Sequence, residues 1–257
     1  MVRLGQNFLT DPNLLDAIVR DSGVGPSDCV LEIGPGEGVL TERLAAVARQ
    51  VEAIELDRSL EPELARVASL GNVDLIFGDA VGFDYAALEP PPNVMVANLP
   101  YSVATPVIIE TMTALPGMER WTVMVQKEIA ERLVAEPGTR AYGSPSAVIR
   151  QAASVRVIRK VGRQVFRPQP RVDSAIISIE RNSPGPSPDL IRFVRAAFAH
   201  RRKSLARSVE LVFPGTLDRA RSALLDLGLD PGLRAEAISP GELAELSGMI
   251  GELGKGS

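Results

Sequence analysis

The segment Val30-Leu31-Glu32-Ile33-Gly34-Pro35-Gly36-Glu37-Gly38 constrains this chain more than any other. An apolar run of strand length ends in three glycines at alternate positions and passes into the helical pattern Leu40, Leu44, Val47. Glycine adopts backbone conformations closed to other residues and lets a ligand approach with no Cβ in the way. Strand, glycine turn and helix in that order open a parallel α/β sheet with a ligand seat at the turn.

The chain continues in the same rhythm. Apolar runs at Val51–Leu56, Val73–Phe77, Val94–Ala97 and Thr122–Gln126 read as further strands, and Leu60, Leu64 and Val67 mark a helix after the second. Ahead of them, Thr10-Asp11-Pro12 reads as a helix start, followed by the apolar face Leu14, Leu15, Ile18, Val19. Alternation at this spacing means a parallel sheet covered on both faces. Val155–Val161 and Ala175–Glu180 have no helix-length segment between them and are expected to pair antiparallel at one edge. Asn182-Ser183-Pro184-Gly185-Pro186-Ser187-Pro188 then breaks the pattern. Beyond it only helical periodicity remains, over Leu190–Phe213, Leu217–Leu227 and Glu242–Ile250. The expected fold is α/β, a Rossmann-like domain over residues 1–185 with a small C-terminal helical domain over 186–257.

Composition excludes several alternatives. Of the 257 residues, 45% are hydrophobic and 23% charged, which suits a globular chain and not a disordered or collagen-like one. One cysteine, Cys29, and one histidine, His200, leave neither a disulfide nor a zinc ligand set, so no metal is expected. Cys29 reads as a core residue, and His200, in a basic stretch, as solvated or facing a partner. No apolar run approaches the roughly 18–20 residues of a membrane span, and the first residues carry no secretory pattern. A cytoplasmic protein with no membrane partner is expected, as a monomer.

The net charge of −4 conceals a partition. Residues 150–207 hold 14 Lys/Arg against 3 Asp/Glu, and the rest of the chain is correspondingly acidic. A local excess of that size is the footprint of a polyanion partner, or else a solvated basic face.

Two acids complete the ligand seat. Glu55 closes the second strand 21 positions after Gly34, where a ribose diol would be gripped. Asp79 follows the third strand, placed to receive an adenine amino group. A nicotinamide fingerprint would want glycine at position 39, which is Val39. The spacing suits S-adenosylmethionine, which has no pyrophosphate to seat.

At the end of the fourth strand stands Asn98-Leu99-Pro100-Tyr101. An aromatic amine is a poor nucleophile because its lone pair is delocalised into the ring. The Asn98 side-chain oxygen and the Leu99 carbonyl can accept its two N–H bonds, favouring a pyramidal nitrogen. Pro100 fixes the turn, and Tyr101 offers a stacking face. Such chemistry rests on positioning rather than on a strong base.

With these motifs in hand, the sequence resembles the ribosomal RNA adenine dimethyltransferase family, whose housekeeping bacterial members act on small-subunit (16S) ribosomal RNA. The likeness covers nearly the whole chain. It includes Gly5-Gln6-Asn7-Phe8-Leu9, the glycine loop, Asn98-Leu99-Pro100-Tyr101, Gln126-Lys127-Glu128 and Ala141-Tyr142-Gly143. It continues through Val165-Phe166-Arg167-Pro168-Gln169-Pro170-Arg171-Val172-Asp173-Ser174-Ala175 to Arg201-Arg202-Lys203. Ser102 stands where that family usually has Asn.

The resemblance implies that Asn7, Leu9, Gly34, Gly36 and Asn98 line the cofactor seat, with Glu55 on the ribose and Asp79 on the adenine of S-adenosylmethionine. It implies that Asn98 and Leu99 hold the target amine, and that Tyr101 and Phe166 sandwich a flipped adenine. Arg167, Arg171, Arg201, Arg202 and Lys203 become RNA contacts, with the last three expected on one helix together with Arg195 and Arg207. Arg150, Arg156, Arg159 and Arg163 bracket the edge hairpin. The substrate implied is 16S rRNA in a small subunit or its precursor, with two adjacent adenosines near the 3′ end each taking two methyl groups. The erythromycin-resistance branch, which methylates one large-subunit adenosine, shares the motifs and stands as the alternative. A non-catalytic assembly factor on the same fold would have no need of the intact cofactor residues. Methylation of a protein glutamine or of DNA adenine uses a related tetrapeptide, but it leaves the basic helical domain unexplained.

Overall fold

The computed structural model describes residues 7–251; Gly5 and Gln6 of the N-terminal motif lie outside the described residues. A two-residue strand, β1 (Phe8–Leu9), precedes α1 (Pro12–Ser22), whose start is fixed as the sequence suggests. The Asp11 carboxylate accepts the Leu14 N–H at 3.1 Å, and Pro12 occupies the first turn. There follow β2 (Cys29–Ile33), α2 (Val39–Ala45), β3 (Gln50–Glu55), α3 (Glu61–Ala68), β4 (Val73–Phe77) and β5 (Val94–Asn98). After these come α4 (Ala104–Ala114), β6 (Arg120–Gln126), α5 (Lys127–Leu133), α6 (Ser144–Ile149), β7 (Ala153–Val161), β8 (Phe166–Arg167) and β9 (Ser174–Arg181).

Seven strands form one sheet in the order β4-β3-β2-β5-β6-β9-β7. The first five pair in parallel, and β9 runs antiparallel to β6. The chain steps outward from β2 to β4 and then returns to β5 on the other side of β2. Ligands in open α/β sheets bind where the order reverses, beyond the carboxyl ends of the strands. Those ends are Gly34 after β2 and Asn98 at the end of β5. All five residues of β2 are buried, which is why its sequence shows no alternation. β1 and β8 form a separate antiparallel pair, with Phe8 opposite Arg167 and Leu9 opposite Phe166. Thr10 N extends it, donating to Val165 O at 2.9 Å.

The helices after the proline-rich break are α7 (Pro188–Ala199), α8 (Leu205–Val212), α9 (Leu217–Asp226) and α10 (Pro240–Ile250). The single helix expected over Leu190–Phe213 is two. Ser204, in extended backbone, accepts the Arg207 N–H and starts a new helix, while Lys203 N turns back to His200 O at 2.8 Å. A serine inside an apolar period was an N-cap signal that the periodicity masked.

The chain divides into two compact units. One holds the residues up to Ala130 together with Val155–Arg181, and the other holds Glu131–Ser154 with Asn182 onward. This differs from a cut at residue 185, because the excursion 131–154 packs with the helices. Tyr142 is fully buried there, donates to Ile238 O at 3.2 Å and meets the Phe198 ring edge-on. Gly138 N donates to Glu236 O at 2.7 Å and Gln151 Nε2 to Pro240 O at 2.6 Å. Such partners, some 90 residues distant, are invisible to a reading of local pattern. Among the described residues, no helix is long and apolar enough to cross a membrane.

Candidate active site

A cavity of about 440 Å³ opens at the reversal point of the first unit, within the size range of small-molecule sites. Its wall brings together Asn7, Leu9, Gly34, Gly36, Glu55, Asp79, Asn98, Leu99, Pro100 and Tyr101. The two sequence motifs touch inside it. Gly34 has φ +70, and a Cβ there would lie 3.6 Å from the Pro100 ring. The left-handed turn at Gly34 thus packs against Pro100 of the turn that follows β5.

Glu55 is 3% exposed, and its carboxylate accepts the N–H of Gly36 at 3.1 Å and of Asp57 at 2.8 Å. The acid thus braces the glycine loop while lining the cavity, with lone pairs left for a diol. Asp79, exposed, accepts the Val81 N–H at 2.9 Å. The loop that carries it is anchored by Tyr85, whose hydroxyl donates to Ala80 O at 2.6 Å.

Asn98 Nδ2 donates to Asn7 O at 3.4 Å. With its amino end so engaged, the amide presents Oδ1 as an acceptor. Leu99 N donates to Met124 O at 3.1 Å, which ties the turn to β6. The Tyr101 hydroxyl lies 3.2 Å from Ser174 Oγ.

Glu32 lines the same cavity and did not stand out in the sequence. It is 1% exposed, and its Oε2 has no hydrogen-bond partner. Burial pushes its carboxyl up to about 8, with the neighbouring Glu55 carboxylate acting in the same direction. An acid inside the otherwise apolar run Cys29-Val30-Leu31-Glu32-Ile33 was the available signal.

Phe166, the expected partner of Tyr101 across the base, lies beside the cavity. It is 1% exposed and packs in the core with Leu9, Ile18, Val161 and Ile176. It stands opposite Leu9 in the β1–β8 pair, directly behind a residue that belongs both to this core and to the cavity wall, and does not itself line the cavity.

Arg167 and Arg171 are exposed in the first unit, and Arg201, Arg202 and Lys203 are exposed in the second. The latter three occupy the turn between α7 and α8 and do not share one helix with Arg195 and Arg207. Arg201 Nη2 donates to Arg140 O at 3.2 Å and reaches Glu236 at 3.5 Å. The arginines around the edge hairpin are in part structural. Arg150 pairs with Glu136, Arg156 with Glu180 at 2.7 Å, and Arg159 with Asp21 at 2.6 Å. The Arg159 guanidinium holds the Asp21 carboxyl below its ordinary range.

Comparison with known proteins agrees with this geometry. The family model described as ribosomal RNA adenine dimethylase matches residues 2–250. "Ribosomal RNA small subunit methyltransferase A" of Rubrobacter xylanophilus is 43% identical, over 95% of this chain and 92% of that one. The protein of the same name from Deinococcus radiodurans is 42% identical, over 96% and 85%. Among solved structures, a dimethyladenosine transferase from Plasmodium falciparum superposes with a TM-score of 0.75 at 23% identity, over 93% and 95%. The 23S rRNA methyltransferase ErmE gives 0.65 at 25% identity, over 96% and 100%. A glycine loop, two strand-end acids and an Asn-Leu-Pro-Tyr turn around one cavity, in a chain matched along nearly its full length, show that this protein is a methyltransferase belonging to the ribosomal RNA adenine dimethylase family.

Proposed function

We propose that the protein transfers methyl groups from S-adenosylmethionine to the exocyclic amines of two adjacent adenosines near the 3′ end of small-subunit ribosomal RNA. The observation that carries the reading is the orientation of Asn98, whose Nδ2 donates to Asn7 O and whose Oδ1 remains to accept an N–H. The cavity suits the cofactor. Gly34 and Gly36 line it through left-handed backbone, Glu55 offers lone pairs to a ribose diol, and the buried, unpartnered Glu32 Oε2 suits a site that receives a cation. When bound, the cofactor supplies an electrophilic methyl group on a sulfonium with a neutral thioether as leaving group. Asn7, Leu9, Gly34 and Gly36 line its seat, and Asp79 accepts from its adenine amine.

Asn98 Oδ1 and the Leu99 carbonyl take the two N–H bonds of the target amine, which localises the nitrogen lone pair. Tyr101 stacks on the extruded base, an interaction worth about 1–3 kcal/mol. Once methylated, the nitrogen is acidic and gives its proton to water, so no side chain need serve as base. Catalysis is then positioning within a pre-formed site. Arg167, Arg171, Arg201, Arg202 and Lys203 contact phosphates of the RNA, and the protein works as a monomer on the small subunit or its precursor. The small-subunit names of the relatives near 40% identity support that substrate over the large subunit.

The test offers labelled S-adenosylmethionine with small- and large-subunit particles from cells lacking these methylations, followed by mapping of the modified nucleosides. Dimethyladenosine at two adjacent small-subunit positions is the expected result. Label on a large-subunit adenosine, or on neither particle with cofactor bound, would overturn the assignment.

A further inference from the structure

Strand β9 reverses the direction of the sheet, and this delivers its first residue to the site. β6 stands in parallel register with β5, with Met124 opposite Asn98, and β9 is antiparallel to β6, with Ser174 opposite Gln126. The start of β9 therefore lies at the carboxyl ends of the parallel strands. Ser174 is 1% exposed and held in the ladder, and the preceding residue is pinned as well, since Asp173 O accepts the Lys127 N–H at 3.0 Å. The hydroxyl contact with Tyr101, at 3.2 Å, thus joins a fixed strand to a half-buried ring on the cavity wall. Ser174 does not line the cavity itself, so it acts through Tyr101.

The target amine explains why that tether matters unequally. Before any transfer the nitrogen carries two N–H bonds, one for Asn98 Oδ1 and one for the Leu99 carbonyl. In the first transfer the nitrogen lone pair forms the N–C bond as the C–S bond of the sulfonium breaks, and one N–H proton leaves to water. The monomethyl product has a single N–H, so one of the two acceptors loses its donor. Orientation for the second transfer then leans on stacking against Tyr101.

We infer that Ser174 is a positioning residue which, by holding Tyr101, governs how far monomethylated adenosine is carried on to dimethyladenosine. This rests on the roles given above to Asn98, Leu99 and Tyr101. The test compares wild type, Ser174→Ala, Tyr101→Phe and the double variant on unmethylated small-subunit particles, with monomethyl- and dimethyladenosine quantified at matched total conversion. Each single variant should raise the mono-to-dimethyl ratio about threefold to tenfold, the span of one uncharged hydrogen bond. The double variant should match the singles, and cofactor affinity by calorimetry should be unchanged.

A wild-type ratio in Ser174→Ala, or an equal slowing of both transfers, would overturn the inference. Should Ser174→Ala fail to fold, Tyr101→Phe keeps the stacking ring and removes only the tether, and an unchanged ratio there overturns it equally. Absence of dimethyladenosine from the wild-type reaction would instead overturn the functional assignment on which it stands.

Discussion

A β-carbon placed on Gly36 would stand 3.0 Å from two atoms of the Phe8 ring. The two residues belong to separate sequence motifs that meet at one cavity, and Phe8 is held there by the pairing of β1 with β8. Gly36 has φ +59, a left-handed conformation that costs a residue with a Cβ about 1–2 kcal/mol. Gly36→Ala therefore forces both the loop and the ring to give, and also disturbs the Gly36 N–H bond to Glu55. We expect the variant to bind S-adenosylmethionine roughly 5- to 30-fold more weakly, the equivalent of that strain. Titration calorimetry checks it, and unchanged affinity would show that the loop is free to relax.

Asn98→Ala should lower single-turnover methylation by about 10²–10³ at saturating cofactor and particle, by analogy with removal of one positioned polar group. The variant loses the acceptor proposed for the amine as well as the bond to Asn7. A turnover within a few-fold of wild type would remove Asn98 from its assigned role.

Glu32 makes the stability of the protein depend on pH. Its carboxyl titrates near 4.5 when free and at about 8 in the folded chain, because burial disfavours the charge. Between those values the native state keeps a proton that the unfolded chain has released. Stability therefore falls as pH rises through that window, and the loss is complete above about 8. Glu32→Gln removes this dependence, so its stability relative to wild type should grow steadily from about pH 5 to about pH 8 in urea unfolding. Glu52, raised to about 7 by burial and by Asp74, is present in both proteins and cancels in the difference. A difference that stays flat with pH would mean that Glu32 ionises freely in the folded state.

Reversal of Arg201, Arg202 and Lys203 to Glu should weaken binding to the ribosomal particle and flatten its salt dependence. The log–log slope should shrink by about 0.7–0.9 for each phosphate no longer neutralised. These residues are exposed in a turn, and the bonds of Arg201 to Arg140 O and Glu236 lie at the surface, so little stability is at stake. Cofactor affinity should not change. An unaltered salt slope would move the RNA-binding surface elsewhere on the protein.

The sequence by itself determined what local chemistry can express. Strand positions followed from runs such as Val73–Phe77, the start of α1 from Asp11 and Pro12, and the ligand turn from glycines that alone tolerate φ near +60 to +70. The two acids and the Asn98 turn were legible because strand ends in a parallel sheet share one edge. The tertiary structure alone decided which distant partners complete those pieces. Phe166 is buried opposite Leu9 because β8 pairs with β1, about 155 residues away, and no local pattern specifies such a register. The excursion 131–154 joined the helical unit through bonds to Glu236, Ile238 and Pro240 for the same reason. Ser174 reached Tyr101 only because β9 runs against its neighbour. Strand direction and long-range pairing are set by burial summed over the whole sheet, and that sum is written in no single segment of the chain.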